Sequence, residues 1–205
     1  MRARLRPVDM IAAGRASEIV DLGDGRVLRR FKGHGNPASE AEVMAHARAH
    51  GFPVPDVLEV RDNELVLEFV EGPTMLADLR RRPWRIARHA RTLAELHTRL
   101  HEIPFEDERL LHLDLHPDNV LLSRRGPIVI DWTNARAGEP SLDVALSWVI
   151  GATVGGPGAR LFTRFFLGHV DRAAARRALP DAVAFRLADP NVTDMERARA
   201  KRLLE

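Results

Sequence analysis

Apolar and polar positions alternate in two short runs near the start of the chain, EIVDLG from Glu18 and RVLRRF ending at Phe31, on either side of Gly23-Asp24-Gly25. Alternation around a glycine-bearing turn predicts an antiparallel hairpin. From Pro37 to His50 the spacing becomes helical, with Val43, Met44 and Ala47 on one face and Gly51 placed to end the helix. After Pro53-Val54-Pro55, the runs VLEV and ELVLEFV around Arg61-Asp62-Asn63 predict a second strand pair. The first seventy residues thus read β-β-α-β-β. Gly72-Pro73 breaks this pattern and places a boundary near residue 71, giving expected units 1–71 and 72–205 joined at about 68–72. Beyond it the pattern is mostly helical. Residues 83–101 carry Ile86, Leu93, Leu96 and Leu100 at core-facing spacing, and 141–151, 158–177 and 194–204 are further expected helices. The exception is NVLLSRRGPIVIDW, residues 119–132, whose two apolar runs flank Ser123 to Gly126 and predict another hairpin.

Composition narrows the class. A chain of 205 residues, 45% hydrophobic, buries a core, and the absence of cysteine excludes disulfides and thiolate metal sites. A reducing cytoplasm is the expected compartment. The basic start is followed by too short an apolar stretch, interrupted by Asp9, to read as a secretory signal, and no run approaches the ~18 residues of a membrane span. Net charge is +2, with lysine only at Lys32 and Lys201. Arginines interleaved with acids and the absence of tyrosine argue against a nucleic-acid partner. Arg80 to Arg82 and Arg172 to Arg177 read as solvated helix faces.

Chemistry concentrates in HLDLHPDNVLLSRRGPIVID, residues 112–131. A turn over Ser123 to Gly126 pairs Leu122 with Pro127 and Val120 with Val129, which sets Asn119 opposite Ile130 and brings Asp131 alongside. Facing residues of a hairpin lie about 5 Å apart. Asp114 stands five residues upstream on a loop that Pro117 keeps from being helical. An amide oxygen beside a carboxylate suits magnesium, which shares its shell with water and substrate phosphates. A third acid nearby accepts a proton, as phosphoryl transfer requires.

HLDLHPDN resembles the H-x-D-x-x-x-x-N catalytic loop of aminoglycoside phosphotransferases, choline kinase-like enzymes and, more remotely, protein kinases. The resemblance implies an α+β bilobal protein kinase-like fold, with a small β-rich N-lobe and a mostly helical C-lobe. It implies ATP and magnesium as cofactors and a small-molecule hydroxyl as phosphate acceptor. Asp114 takes the catalytic position, and His116 stands where protein kinases have a lysine facing the transferred phosphate. Asn119 and Asp131 fall on the metal-binding positions, Asp131 being followed by Trp-Thr instead of Phe-Gly. Asp143 in SLDVALSW matches a later aspartate expected to hold the catalytic loop by its backbone. Gly14 and Ser17 belong to a stretch that resembles the phosphate-covering loop. Glu40 matches the helix carboxylate that pairs with the phosphate-binding base, which here aligns with Arg29 instead of lysine; Lys32 is on the opposite strand face. Arg supplies the charge but is planar and bulkier. In VLEFVEG, Glu68 and Val70 would meet adenine through a carbonyl and an amide.

Two other readings compete: a catalytically impaired nucleotide-binding regulator of the same fold, suggested by Arg29, and a metallohydrolase using the alternating His112, Asp114 and His116. The second needs further ligating histidines, yet His34, His46, His50, His97 and His101 read as helix or loop surface. A protein kinase is disfavoured because eleven residues between Asp131 and Asp143 are too few to position a peptide. His112, Trp132 and Trp148 are expected to pack in the core, and Phe162, Phe165 and Phe166 to form a packing stripe. No dense acidic patch suited to a polycationic antibiotic is evident, so sugars, amino alcohols, macrolides and nucleosides all remain open as acceptors, as does the oligomeric state.

Overall fold

The structure, a computed structural model, describes residues 10–13, 17–32 and 36–205. The chain begins with β1 (Met10–Ala13), β2 (Ser17–Asp21) and β3 (Arg26–Phe31), followed by α1 (Pro37–Ala49), β4 (Val57–Arg61) and β5 (Glu64–Glu68). These strands make one antiparallel sheet in the order β1-β2-β3-β5-β4. β1 lies outside the expected β-β-α-β-β pattern, its strand character hidden in a short apolar stretch. Side chains alternate across the pleat. Val20, Leu28 and Val66 pack on one face of the sheet. Phe31, Leu65 and Leu67 on the other join Val43, Met44 and Ala47 of α1 in the main core. Arg29 pairs in register with Ile19 and Leu65, so the same period of two sends its side chain to the α1 face.

Helices dominate the rest: α2 (Met75–Arg81), α3 (Ile86–His101), α4 (Pro140–Val154), α5 (Pro157–Leu167), α6 (Arg172–Arg177), α7 (Leu179–Ala188) and α8 (Asp194–Lys201). Between α3 and α4 lie β6 (Pro104–Phe105), β7 (Glu108–Leu111), the hairpin β8 (Val120–Ser123) and β9 (Gly126–Val129), and β10 (Arg136–Gly138). The expected helix over 158–177 is two: Gly168 caps α5, and the Asp171 side chain accepts from Ala174 N at 2.9 Å to start α6. α2 and α7 were not evident from periodicity. α2 is started by Thr74, whose hydroxyl accepts from Ala77 N at 3.1 Å, and α7 by Pro180 in its first turn. Trp132 is buried, whereas Trp148 is only partly so and stacks against Arg172, and Phe165 of the aromatic stripe is exposed.

Where the chain leaves the sheet, Gly72 has φ +153° and presses its backbone on β8: an added Cβ would stand 2.3 Å from Leu122 O. Leu122 N donates to Pro73 O at 2.9 Å. Just beyond, α2 is clamped to α3 by buried Asp78, which accepts from His89 Nε2 at 2.8 Å, Arg82 Nη1 at 2.7 Å and Arg85 Nη1 at 3.2 Å. These donors, His89 foremost, hold its carboxyl at about 2 instead of 3.8. A depressed carboxyl stabilises the fold above its unfolded value, and that stability is lost as pH falls through the folded one. The expected loss is at most about 2 kcal/mol, reduced by salt because Arg82 and Arg85 reach solvent. Denaturant unfolding between pH 3.8 and pH 2 measures it. Asp78→Asn should flatten that acid limb, and an unchanged limb would locate the effect elsewhere.

Candidate active site

β7 delivers the chain into the loop 112–119, and α4 holds that loop from beneath. Asp143 is fully buried, and its two carboxylate oxygens accept from His112 N at 3.1 Å and Leu113 N at 2.8 Å. Burial alone would raise its pKa, yet the imidazoles of His101, 3.0 Å away, and His97 hold it well below the usual carboxylate range. Leu113 has φ +60°, a conformation that costs energy in a residue with a Cβ and that this anchoring sustains. Buried His112 donates from Nε2 to Ile130 O at 3.2 Å, and desolvation lowers its pKa, so it is a neutral strut between the loop and β9.

Pro117–Asn119 then form a short 3-10 turn. Asn119 donates from Nδ2 to the backbone oxygen of Asp114 at 2.9 Å and to its Oδ2 at 3.0 Å. His116 Nε2 stands 3.6 Å from Asp114 Oδ1. The β8–β9 register is the expected one, Val120 facing Val129 and Leu122 facing Pro127, and Ile130 N donates to Asn119 O at 3.0 Å. At the end of β9, Asp131 takes φ +65°, turning out of the strand line.

Behind Asp131 lies a network that joins sheet to loop. Arg29, 4% exposed, pairs through Nη1 with Glu40 on α1 and through Nη2 with Asp131 Oδ1 at 2.6 Å. The same Nη2 reaches Thr133 Oγ1 at 2.8 Å, and Nε donates to Ser17 Oγ at 3.1 Å. Glu40 also accepts from Trp132 N at 3.1 Å. Burial pushes the Glu40 carboxyl up, a shift that Arg29 opposes. At Asp131 the effect of desolvation is overcome by the charge and hydrogen bond of Arg29, helped by the Thr133 hydroxyl, and the carboxyl is held down. Lys32 reaches Glu18 instead, at 3.4 Å.

One cleft of 760 Å³ gathers Asp114, His116, Asn119 and Asp131 on its wall. Ser17, Arg29 and Glu40 stand behind it. Glu68 and Val70 are not among its lining residues: the Glu68 carboxylate pairs with Arg125 at the hairpin turn and accepts from Asp56 N at 3.3 Å. Gly14 lies outside the described residues. The cleft is more acidic than its sequence indicated, since Asp118, Asp189 and Glu196 join Asp114 and Asp131, with Arg186 among them. Sequence reading also missed Thr133 as a partner of both Arg29 and Asp131, and the 2.8 Å hydrogen bond from Thr74 Oγ1 to Asp118 that ties α2 to the loop. Only the Trp-Thr following Asp131 signalled the first.

Oxygen ligands remain open. No hydrogen bond among the described residues uses Asn119 Oδ1 or Asp131 Oδ2, while Asp131 Oδ1 is occupied by Arg29 and Thr133. A hard divalent cation fits this donor set. The zinc alternative does not fit, because His112 is turned inward. The ligand-capable group among the described residues is instead His97, His101 and Asp143, within 4.8 Å of one another. His97 and His101 are therefore interior residues beneath the loop and not helix surface as their spacing suggested.

Comparison with known proteins agrees with this architecture. The model of the phosphotransferase enzyme family matches residues 101–186, and that of the RIO domain matches residues 34–140, just over half of the chain. No curated protein sequence matches. Among solved structures, a choline/ethanolamine kinase family protein from Mesorhizobium loti superimposes with TM-score 0.66 at 19% identity, covering 98% of this chain and 88% of that one. Aminoglycoside phosphotransferase APH(4)-Ia gives TM-score 0.73 at 16% identity over 96% and 92%. An ethanolamine kinase from Plasmodium vivax gives 0.67 at 11% over 95% and 81%. A thermostable mutant of APH(4)-Ia is known in a ternary complex with AMP-PNP and hygromycin B. The fold is the bilobal protein kinase-like one. The RIO-domain model matches just over half of the chain, which places the chain in the RIO-domain family, and its residues 101–186 match the phosphotransferase enzyme family.

Proposed function

We infer that the protein transfers the γ-phosphate of ATP to a hydroxyl of a small molecule, with magnesium. The observation that carries this reading is the meeting of Asp114, Asn119 and Asp131 on one cleft wall with an amide oxygen and a carboxylate oxygen that no hydrogen bond among the described residues uses. Asn119 and Asp131 would hold the ion, whose chemistry there is to neutralise charge on the phosphates. Arg29 fixes Asp131 and adds a positive charge at the base of the phosphate site, while Glu40 fixes Arg29. Asp114, oriented by Asn119 and accompanied by His116, receives the acceptor hydroxyl. It takes the proton as the new O–P bond forms and the bond to the leaving ADP oxygen breaks. Most of the rate enhancement comes from placement. Residues up to about 71 form the nucleotide lobe, with the backbone of Glu68 and Val70 at the adenine and Ser17 steadying Arg29 at the phosphates.

The nucleotide-binding regulator without turnover is the second reading, favoured by one observation: Arg29 commits Nε and both Nη atoms to protein side chains. Magnesium-dependent ATP consumption in the presence of hydroxylated acceptors separates the two. Wild type should turn over, and Asp114→Ala should lose about 10²- to 10⁴-fold in rate while still binding nucleotide. Equal rates in the two proteins would eliminate the catalytic reading.

A further inference from the structure

Beside the reaction cleft lies a second cavity, of 320 Å³, between α2, α3, α4 and α5. Its wall is apolar, contributed by Leu76, Leu79, Ile86, Leu93, Phe162 and Phe166. The two spaces adjoin, with Leu76, His116, Asp118, Ile150 and Val154 lining both. The size is at the lower end of small-molecule sites, which run from about 300 to 1,000 Å³.

The lining is apolar apart from Arg80, His116, Asp118, Ser147 and Thr163, and the two hydroxyl protons are already donated within the protein. Ser147 Oγ donates to Leu115 O at 2.6 Å and faces His97 Nε2 at 2.9 Å, and Thr163 Oγ1 donates to Ala159 O at 2.9 Å. A sugar set against the leucine, isoleucine and phenylalanine wall would lose more hydrogen bonds to water than these few groups return. A hydrocarbon group would be favoured, and Val154, 58% exposed, presents an apolar side chain to both spaces. His116, which also lines both, belongs to the loop that carries Asp114.

We propose that the acceptor is an amphipathic alcohol whose hydroxyl lies at Asp114 and whose apolar arm fills the chamber between α2, α3, α4 and α5. This rests on the phosphotransferase reading and adds the substrate class. The arm supplies binding that an otherwise small acceptor lacks, and it points the hydroxyl outward past His116 and Asp118 into the cleft.

Primary alkanols from propanol to decanol, offered as acceptors with magnesium and ATP, test the proposal. KM should fall about fourfold for each added methylene until the chamber is full, with kcat little changed. Gly158 lines the chamber, and an added Cβ there meets nothing within 4 Å, so Gly158→Phe is a plug. It should raise KM for decanol by more than about tenfold while propanol turnover and nucleotide affinity stay at wild-type values. A KM independent of chain length, or decanol kinetics untouched by Gly158→Phe, would overturn the proposal. So would a wild-type dimer that the plug converts to monomer together with a flat alkanol series, since the cavity would then be an interface between copies. Calorimetry with decanol in the absence of nucleotide keeps the two readings apart. Decanol binding that Gly158→Phe abolishes, without turnover of any alcohol, supports the chamber and removes the phosphotransferase function. Turnover of short alcohols with no chain-length effect removes the chamber alone.

Discussion

Asp131→Ala is expected to lower kcat by about 10³-fold or more, with the protein still folded. The side chain is 40% exposed, so its removal leaves no large void, yet it takes away the open Oδ2 of Asp131 and a charged partner of Arg29 Nη2. ATP turnover measured against increasing magnesium distinguishes the two losses. If only the orienting role matters, high magnesium restores nothing and the apparent metal affinity stays the same; if Asp131 is a ligand, the metal requirement moves to higher concentration. Near-normal kcat at ordinary magnesium would remove Asp131 from the site.

The second large effect is on stability. Arg29→Met should destabilise the fold by about 3–5 kcal/mol, the usual consequence of leaving a buried charge without its partner. Glu40, 4% exposed, would keep its hydrogen bond from Trp132 N but lose the guanidinium that opposes its desolvation. The sign with pH is the reverse of that for Asp78. A carboxyl whose pKa is raised on folding costs stability once pH exceeds its unfolded value, and the cost is relieved on acidification as it takes up a proton. Arg29→Met should therefore recover part of its lost stability as pH falls toward the Glu40 transition. Adding Glu40→Gln, which removes the second charge, should recover most of it. Urea unfolding of the single and double variants measures both. A single variant within about 1 kcal/mol of wild type would mean that sheet and loop are joined by packing alone, through contacts such as the edge-on pair Phe52 and Trp132.

Much of the arrangement behind these expectations is legible locally. The turn Gly23-Asp24-Gly25 and the alternation on either side are enough to put Arg29 on the α1 face, and Asn36-Pro37 starts α1 so that Glu40 falls in its first turn. The four residues Ser123 to Gly126 set the register that brings Asn119 and Asp131 together. Where expectation and structure part, the missing information is not local. The periodicity of 158–177 runs through Gly168 without showing that Asp171 starts a new helix. His97 and His101 sit four residues apart on a helix that carries many polar positions, and only the approach of α4 with Asp143 makes them interior. The cleft acids come from the loop 112–119, the end of β9 and the α7–α8 region, so no window of sequence displays them as one patch.

The chain's own sequence determined the hairpins β2–β3, β4–β5 and β8–β9, its main helices and the chemistry of the loop at 112–119, because side-chain period and turn residues act over ten residues or fewer and are written in that span. Only the tertiary structure decided which carboxylate oxygens stay open, that Arg29 bridges 102 positions to Asp131, that Thr133 joins them, and that an apolar chamber opens beside the reaction cleft. These depend on distances between elements remote in the chain, which are set by how α1, α3 and α4 pack on the sheet and on one another, and no local pattern of residues encodes a distance of that kind.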